Sequence, residues 1–385
     1  MLEAQKRLPG DLLRATSRSF YLTLRVLPAA VRPQIGLAYL LARTTDTIAD
    51  TEILPVARRL AAVQKLRGRI SGQDSAPLNF GEFACHQGLA SEKRLLEKVE
   101  DSLAALQTLS PEDLKLVREV LATIMGGQEL DLRRFAGSAG VPPAVCGVAP
   151  QTSSNQFANK ADSATPSAAR ETRALPKIIA LETDRELDDY TFRVAGCVGE
   201  FWTRICRAHL FPEARLDEDQ FIADGIRFGK GLQLVNILRD LPADLKKGRC
   251  YLPMEKLEPA GLFPEILFSS AKQKQFLPLF RGFLDEAEAH LAAGWRYTNT
   301  LPFSQMRVRL ACAWPVLIGA KTIEKLRAAG VMELQQRVKV SRGGVRSILL
   351  RSTLLCPFPG IWRKQFSVRA KAVRAKAVAS GGDFA

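Results

Sequence analysis

Cysteine and histidine motifs are scarce in this sequence. Its seven cysteines form no C-x-x-C pair and only three histidines are present, so the spacing of zinc and iron–sulfur sites is missing. An odd, scattered set of cysteines favours a reducing compartment. The N-terminus lacks the apolar core and cleavage site of a secretory signal, and no apolar run is long enough to span a bilayer. We therefore expect a cytoplasmic protein that is neither secreted nor transmembrane.

Acidic residues are under-represented in a chain of otherwise ordinary composition. Of the 385 residues, 46% are hydrophobic and 25% are charged, which is typical of a globular protein with a sizeable core. The excess of lysine and arginine gives a net charge of +15. Such an excess indicates an anionic partner: a phosphate-rich substrate, an acidic membrane surface or a nucleic acid.

Alternating, strand-like patterns are also rare, and helical spacing dominates. Apolar residues recur at intervals of three and four over residues 11–135 and again from about residue 185. Residues 136–176 are rich in Ala, Ser, Pro and Gly, which predicts a flexible insertion. The sequence thus predicts an all-α single domain over residues 1–355 with that insertion, followed by a basic, disordered tail over residues 356–385.

Two short segments share one arrangement, in which an arginine precedes two aspartates spaced four apart. They read RTTDTIAD at 43–50 and NILRDLPAD at 236–244. Side chains three or four residues apart share one face of a helix, so each segment predicts a polar stripe on an apolar helix. Neighbouring buried carboxylates repel each other unless a cation lies between them.

Two acidic stripes that face each other predict a site for Mg²⁺ together with a diphosphate. Mg²⁺ prefers oxygen ligands and seldom occupies an all-protein cage; Mn²⁺ is an alternative ion. The candidate metal ligands are Asp46, Asp50, Asp240 and Asp244. The candidate donors to phosphate oxygens, by charge-assisted hydrogen bonds, are Arg43, Arg239, Arg249, Ser17 and Ser19.

Simpler readings of these residues stay open at this point. One D-x-x-x-D pair is common on solvated helices, and the argument depends on having two. Gln128 and Asp131 share a helix face that fits a solvated surface as well as a site. Pro242 is expected to end or kink its helix near Asp240, so that Asp244 would approach from the last turn or from a loop.

Four segments, in order, resemble the squalene and phytoene synthase family, which joins two prenyl diphosphates head to head. They are SRSFYLTLRVLP (17–28), RTTDTIAD (43–50), YTFRVAGCVGE (190–200) and GKGLQLVNILRDLPADLKKGRCYLP (229–253). The resemblance covers roughly residues 12–355 apart from the insertion. It implies an isoprenoid-synthase-type helical bundle with a central apolar cavity, which would keep water from a reactive cation.

The same resemblance implies roles for individual residues. The implied catalytic residues are Tyr190, Arg43, Asp46, Asp50, Asp240 and Asp244, with Asn236 joining the four aspartates as a metal ligand. The implied substrate contacts are Ser17, Ser19, Phe20, Arg43, Val194, Gly199, Gln233, Asn236, Arg239 and Arg249. Tyr190 would lie beside the reacting carbons, although a tyrosine on an apolar stripe is often simply part of a core.

Family members differ in product, and Thr47 favours one of them. Squalene synthases more often have threonine here, where phytoene and dehydrosqualene synthases often have a second aspartate. The resemblance therefore implies condensation of two farnesyl diphosphates to presqualene diphosphate and its reduction to squalene by NADPH. Phytoene synthase, dehydrosqualene synthase and a presqualene diphosphate synthase without reduction stay open. Because no glycine-rich strand-to-helix fingerprint is present, no NADPH-binding residue is assigned.

Rival functions rest on the second acidic segment and on the C-terminus. Asn236, Asp240 and Asp244 share the spacing of a terpene-cyclase motif, but the paired arginines and the SRSF segment argue against a cyclase. Residues 347–378 combine an apolar stretch with a basic one, which predicts peripheral contact with a membrane. A disordered solubilising tail is the alternative, and no nucleic-acid partner is expected.

Overall fold

Helices make up nearly all the regular structure, as the apolar spacing predicts. The structure is a computed structural model that describes residues 11–17, 20–136, 178–329, 334–335 and 338–366, apart from the side chains of residues 20 and 21. Its helices are α1 (Phe20–Val26), α2 (Arg32–Ala49), α3 (Val56–Ser71), α4 (Gly81–Cys85), α5 (Ala90–Glu97), α6 (Val99–Leu106), α7 (Pro111–Arg134), α8 (Asp184–Thr191), α9 (Cys197–Leu210), α10 (Glu218–Lys246), α11 (Met254–Leu257), α12 (Gln273–Thr300), α13 (Met306–Ala328) and α14 (Arg342–Leu355). Residues 11–16 and 359–366 are helical too. The predicted all-α fold is confirmed.

Shorter elements connect these helices. A π-helix, Phe192–Gly196, joins α8 to α9. Short 3₁₀ turns are found at Glu258–Ala260, Pro264–Ile266, Ser270–Lys272 and Phe303–Gln305. Strands β1 (Ile179–Leu181) and β2 (Arg249–Pro253) form one small parallel pair, which the sequence patterns do not predict.

Side-chain caps fix where two long helices begin. The Ser110 hydroxyl accepts a hydrogen bond from the Asp113 backbone N–H at 3.2 Å, with proline at the first position of α7. The Asp217 carboxylate accepts one from the Gln220 backbone N–H at 3.0 Å at the start of α10. These caps satisfy backbone donors that a helix N-terminus otherwise leaves without partners.

Helix α10 lies at the centre of the bundle and packs against α9, α12, α13 and the π-helix. Its contact with α9 and the π-helix depends on glycine. A Cβ atom on Gly199 would lie 1.9 Å from the Gly225 carbonyl oxygen, and one on Gly229 would lie 2.0 Å from the Ala195 carbonyl oxygen. Only glycine lets these backbones approach so closely.

Pro242 does not end α10, so of the two positions that the sequence left open for Asp244, the last turn of the helix and a loop, the structure has the last turn. The helix continues to Lys246, so Asp244 lies within it. Proline removes one backbone hydrogen bond, but Leu238, Leu241 and Leu245 on either side are buried. Packing of those leucines stabilises the helix across the proline.

Buried apolar residues form separate clusters that anchor the two acidic segments. Leu41 and Ile48 of α2 belong to a cluster shared with α3, α6 and α7. Leu238 and Leu241 of α10 belong to a second cluster, shared with α12 and α13. The two aspartate pairs are therefore supported by different parts of the core.

The ordered chain extends past the predicted boundary at residue 355. Trp362 is fully buried and stacks on Trp295 with ring centroids 5.3 Å apart. The Trp295 indole N–H donates to the Arg363 carbonyl at 3.1 Å. Residues 356–366 thus belong to the helical domain, because their apolar side chains complete its core. The rest of the predicted tail, and the predicted insertion beyond Ala136, lie outside the described residues.

No helix in the described part of the chain is both long enough and apolar enough to cross a bilayer.

Candidate active site

The first acidic segment lies at the end of α2. Arg43 and Asp46 share one face of the helix, with 3.9 Å between Arg43 Nη1 and Asp46 Oδ2, and Asp50 is the C-terminal cap residue. Arg43 also donates to Glu92 of α5 at 2.7 Å. The predicted polar stripe therefore forms, and it has an acidic partner from another helix.

The second acidic segment lies in the last turns of α10. Asp240 and Asp244 are one turn apart, and Arg239 donates two hydrogen bonds to Asp240. Gln233 and Asn236 lie on the same helix, with 3.5 Å between the Asn236 amide nitrogen and Gln233 Oε1.

Salt bridges join the C-terminal ends of these two helices. Glu52 follows Asp50, and its carboxylate lies 3.0 Å from Lys247 Nζ and 3.4 Å from Arg249 Nη2. Lys247 ends α10 and Arg249 begins β2. The contact brings cationic side chains from the second segment next to the carboxylates of the first.

Helix α7 supplies a third side of the same site. Gln128 donates a hydrogen bond to Asp46, and Asp131 accepts one from the Tyr251 hydroxyl at 2.9 Å. The choice left open by the sequence is thereby decided, since these two residues face the acidic segments. One oxygen of each side chain is buried without a hydrogen-bond partner in the described structure, so each retains acceptor capacity.

Tyr190 lies between the acidic segments and the apolar core. Its ring stacks on Tyr251 with centroids 4.5 Å apart, and its hydroxyl shares a hydrogen-bond network with Tyr251 and Asp131. Burial raises the pKa of Tyr190 well above its ordinary value, and the charges of Asp131, Asp244 and Asp46 raise it further. The hydroxyl therefore stays protonated. The Tyr190 side chain is close enough to both acidic segments for the charges of each to raise its pKa. The π-helix begins two residues later; π-bulges are frequent at functional sites.

Burial and mutual repulsion destabilise the ionised form of the carboxylates in the site. Burial, and then the charge of Asp50, raise the pKa of Asp46 to about 7. Burial, and then the charge of Asp240, raise that of Asp244 to about 7. Burial also raises the pKa of Asp131 to about 6. The Asp46 side chain is nevertheless 45% exposed, so a ligand can reach it from solvent.

Cationic side chains lie close to the same carboxylates. Burial lowers the pKa of Arg249, but Tyr251, Glu52, Asp50 and Asp131 together raise it above its ordinary value. Burial likewise opposes the charge on Arg43, and Asp46 and Glu92 reverse the effect. Both guanidinium groups therefore remain charged beside the aspartates. An arginine in that state can bind phosphate oxygens through paired N–H groups.

Comparison with known proteins identifies the family. The family model for squalene/phytoene synthase matches residues 13–344. The chain belongs to the squalene/phytoene synthase family. It is therefore an enzyme that transfers prenyl groups, and its family acts on prenyl diphosphates.

Individual relatives of this chain differ in product. Presqualene diphosphate synthase of Sinorhizobium fredii is 26% identical over 348 residues, which cover 89% of this chain and 95% of that protein. Phytoene synthase of Thermus thermophilus is 29% identical over 182 residues, 47% of this chain and 58% of that protein. A squalene synthase solved with the ligand E5700 has a TM-score of 0.70 at 19% identity, covering 96% of this chain and 91% of that one. The structural likeness concerns the fold alone.

The carboxylate oxygens of the site are of the kind that a hard divalent cation prefers. The described residues contain no group of three His, Cys, Asp or Glu arranged as a metal-binding cluster. Asp46 and Asp244 are instead carboxylates whose negative charge is destabilised by burial and by a second carboxylate. An ion that completes its coordination with water and phosphate oxygens fits such a set.

Several predicted substrate contacts have other partners in the structure. Ser17 is buried and its hydroxyl donates to the Leu13 carbonyl. Gly199 lies at the crossing of α9 and α10, and Val194 lies in the π-helix, half-buried. Ser19 and the Phe20 side chain lie outside the described residues. Contact of these residues with substrate stays a prediction.

Sequence patterns missed four residues of the site: Glu52, Glu92, Lys247 and Tyr251. Lys247 and Tyr251 lie within a quoted motif, so their positions in the KKGRCYLP segment were the available signal. Glu92 lies in a stretch of ordinary amphipathic helix. Nothing local distinguishes it from a solvated glutamate, because its role depends on a contact with Arg43, 49 residues away in the chain.

Proposed function

We propose that this enzyme condenses two molecules of farnesyl diphosphate head to head into presqualene diphosphate and then reduces that product to squalene with NADPH. The supporting observation is the pairing of two acidic segments, each with its own arginine, on helices joined by the Glu52 salt bridges. Two substrates carry two diphosphates, and carboxylates from both helices together would hold the metal ions that bind them.

Asp46, Asp50, Asn236, Asp240 and Asp244 would hold Mg²⁺, or Mn²⁺, which supplies positive charge to a leaving diphosphate. The chain's own residues add to that charge. Arg43 and Arg249 remain protonated beside the aspartates and can donate to the non-bridging oxygens. Release of the first diphosphate leaves an allylic cation on one prenyl chain. The double bond of the second chain attacks it and a proton is lost, giving a cyclopropylcarbinyl diphosphate.

The second half of the reaction needs a polar end and an apolar end in one site. The second diphosphate leaves and the carbon skeleton rearranges; NADPH, when bound, would supply the hydride that reduces the resulting cation. Tyr190 is suited to this step because its ring, stacked on Tyr251 and carrying a neutral hydroxyl, presents a π-face that favours a nearby cation. Thr47, which the resemblance associates with squalene synthases, supports squalene as the product.

A second candidate function stops at presqualene diphosphate. It is favoured by the relative from Sinorhizobium fredii, a presqualene diphosphate synthase that this chain matches over 95% of that protein's length. Both functions use the same diphosphate site and differ only in the reductive step.

Product analysis separates these functions. Purified enzyme would be incubated with farnesyl diphosphate and Mg²⁺, with and without NADPH, and the products identified by gas chromatography and mass spectrometry after phosphatase treatment. Squalene formed only with NADPH supports the proposal. Presqualene diphosphate as the final product in both cases supports the second candidate. Dehydrosqualene, or activity confined to a C20 substrate, contradicts both.

We also place the enzyme in the cytoplasm. The six cysteines in the described part of the chain are all free thiols, which suits a reducing compartment. We expect the protein to migrate at the same position in gel electrophoresis with and without reducing agent. We also expect to recover it in the cytosolic fraction or at the cytosolic face of membranes.

A further inference from the structure

One stretch of the protein surface carries large apolar side chains in a regular row. Leu350, Leu354, Phe358 and Ile361 are 64%, 62%, 57% and 54% exposed. On the opposite side, Ile348 and Ser352 of α14 are buried, and the Trp314 indole N–H donates to the Ser352 hydroxyl at 3.0 Å. The helix therefore packs through one face and leaves the other, apolar face uncovered.

The spacing shows that these residues form one surface. Leu350, Leu354 and Phe358 follow each other at intervals of four, which places them along one side of α14 and the turn that ends it. Ile361 lies in the first turn of the next helical segment, residues 359–366, whose Trp362 is buried in the core. We call Leu350, Leu354, Phe358 and Ile361 the outer face of α14.

The stretch of sequence that carries the outer face has charge of a single sign. Residues 334–382 contain eleven lysines and arginines and no aspartate or glutamate. Arg346 and Arg351 flank the apolar row directly, and both are exposed. A row of apolar side chains with cations beside it matches the boundary of a bilayer, where acyl chains lie under phosphate groups.

We propose that the outer face of α14 docks the enzyme onto a bilayer that contains anionic lipid. The face lies beyond the region matched by the family model, which ends at residue 344. A second copy of the chain is a poorer occupant, because pairing two such faces brings like charges together. A nucleic acid would meet the arginines but would leave the apolar row uncovered. No described helix can span the bilayer, so the contact is peripheral.

The test is flotation of the full-length protein with vesicles of phosphatidylcholine and phosphatidylglycerol, compared with vesicles of phosphatidylcholine alone. The chain offers a matched pair of variants: Phe358→Ser on the outer face, and Phe263→Ser at a site 49% exposed elsewhere. The double variant Leu350→Ser/Leu354→Ser removes the rest of the apolar row. Farnesyl diphosphate turnover in detergent solution checks that each variant is folded and active.

We expect the wild-type protein to bind the anionic vesicles, and to bind them less as the salt concentration rises. Binding to the neutral vesicles should be weaker. Phe358→Ser should weaken binding to the anionic vesicles by about threefold or more and the double variant by about tenfold or more, while Phe263→Ser leaves it unchanged. Equal binding by all variants overturns the proposal. The proposal is also overturned if the wild-type protein does not bind vesicles but forms a dimer that Phe358→Ser disrupts. Binding of duplex DNA without binding of vesicles overturns it too. Turnover is measured separately, so the catalytic proposal stands or falls on its own.

Discussion

Single side chains outside the aspartate motifs set the geometry of this site. Arg43 lies 3.9 Å from Asp46, yet its shorter contact, 2.7 Å, is with Glu92 of α5. A guanidinium held along one edge by a carboxylate keeps its remaining N–H groups in a fixed direction. Glu92 is thus a positioning residue for Arg43, with no contact to the reacting carbons required.

Glu92→Gln should lower kcat/KM for farnesyl diphosphate by about tenfold, because misdirected phosphate contacts cost roughly that much. The effect should appear in both KM and kcat, since Arg43 is proposed to contact the diphosphate before and during its departure. Steady-state release of diphosphate measures it. Glu97→Gln, on the same helix and exposed, is the control and should match wild type. Equal kinetics for all three proteins would show that Arg43 does not depend on Glu92.

At the scale of elements, the crossing of α9 and α10 explains why a predicted substrate residue is a glycine. Gly199 meets the Gly225 carbonyl so closely that a Cβ has no room. The family pattern places this glycine in a functional motif, but its position in the structure gives it a packing role. That role keeps Tyr190 and the π-helix against the helix that carries Asp240 and Asp244.

Gly199→Ala should destabilise the protein by about 1–3 kcal/mol or more, because the helices must move apart to admit a methyl group. Gly282→Ala on α12 is a matched control, since nothing lies within 4 Å of its Cβ position. That change should stabilise the helix by about 0.5–1 kcal/mol. Urea unfolding measures both. A Gly199→Ala protein of wild-type stability but low activity would assign the residue to substrate contact instead.

Some structural elements of this protein could be predicted from its sequence and others could not. Helices α2, α7 and α10 were predictable because their apolar spacing is regular and their acidic residues fall on one face. Glu92 and Glu52 were not, since their partners come together only when distant parts of the chain pack. For a similar reason, the sequence could not decide whether α10 continues through Pro242. Local propensity disfavours the continuation, and burial of the neighbouring leucines outweighs that preference.

At the scale of the whole molecule, a polar network connects three helices away from the active site. The buried Asp113 carboxylate of α7 accepts a hydrogen bond from Gln34 of α2 at 2.9 Å and lies 2.7 Å from His209 Nε2 of α9. Burial alone would raise its pKa, but these partners outweigh burial and hold it below the ordinary value of 3.8. The network favours the ionised carboxylate.

The sign of the resulting pH dependence follows from that shift. A carboxyl group whose folded-state pKa is depressed stabilises the fold above the unfolded pKa and loses that contribution as pH falls through the folded one. Asp113→Asn should therefore cost about 1–3 kcal/mol at pH 7, and the difference from wild type should shrink below about pH 4. Urea unfolding across pH measures it, with the exposed Glu112→Gln as control. A difference that does not change with pH would contradict this assignment.

The central claim is that carboxylates from two helices act as one site for a divalent cation and a diphosphate. The most direct measurement is a calorimetric titration of inorganic diphosphate into the enzyme, with and without Mg²⁺. It would be repeated for Asp46→Asn on α2, Asp244→Asn on α10, and Asp101→Asn on the exposed surface of α6 as control. Binding should require Mg²⁺ and weaken by about tenfold or more in either site variant but not in the control. Equal binding without Mg²⁺, or dependence on only one of the two helices, would contradict the account.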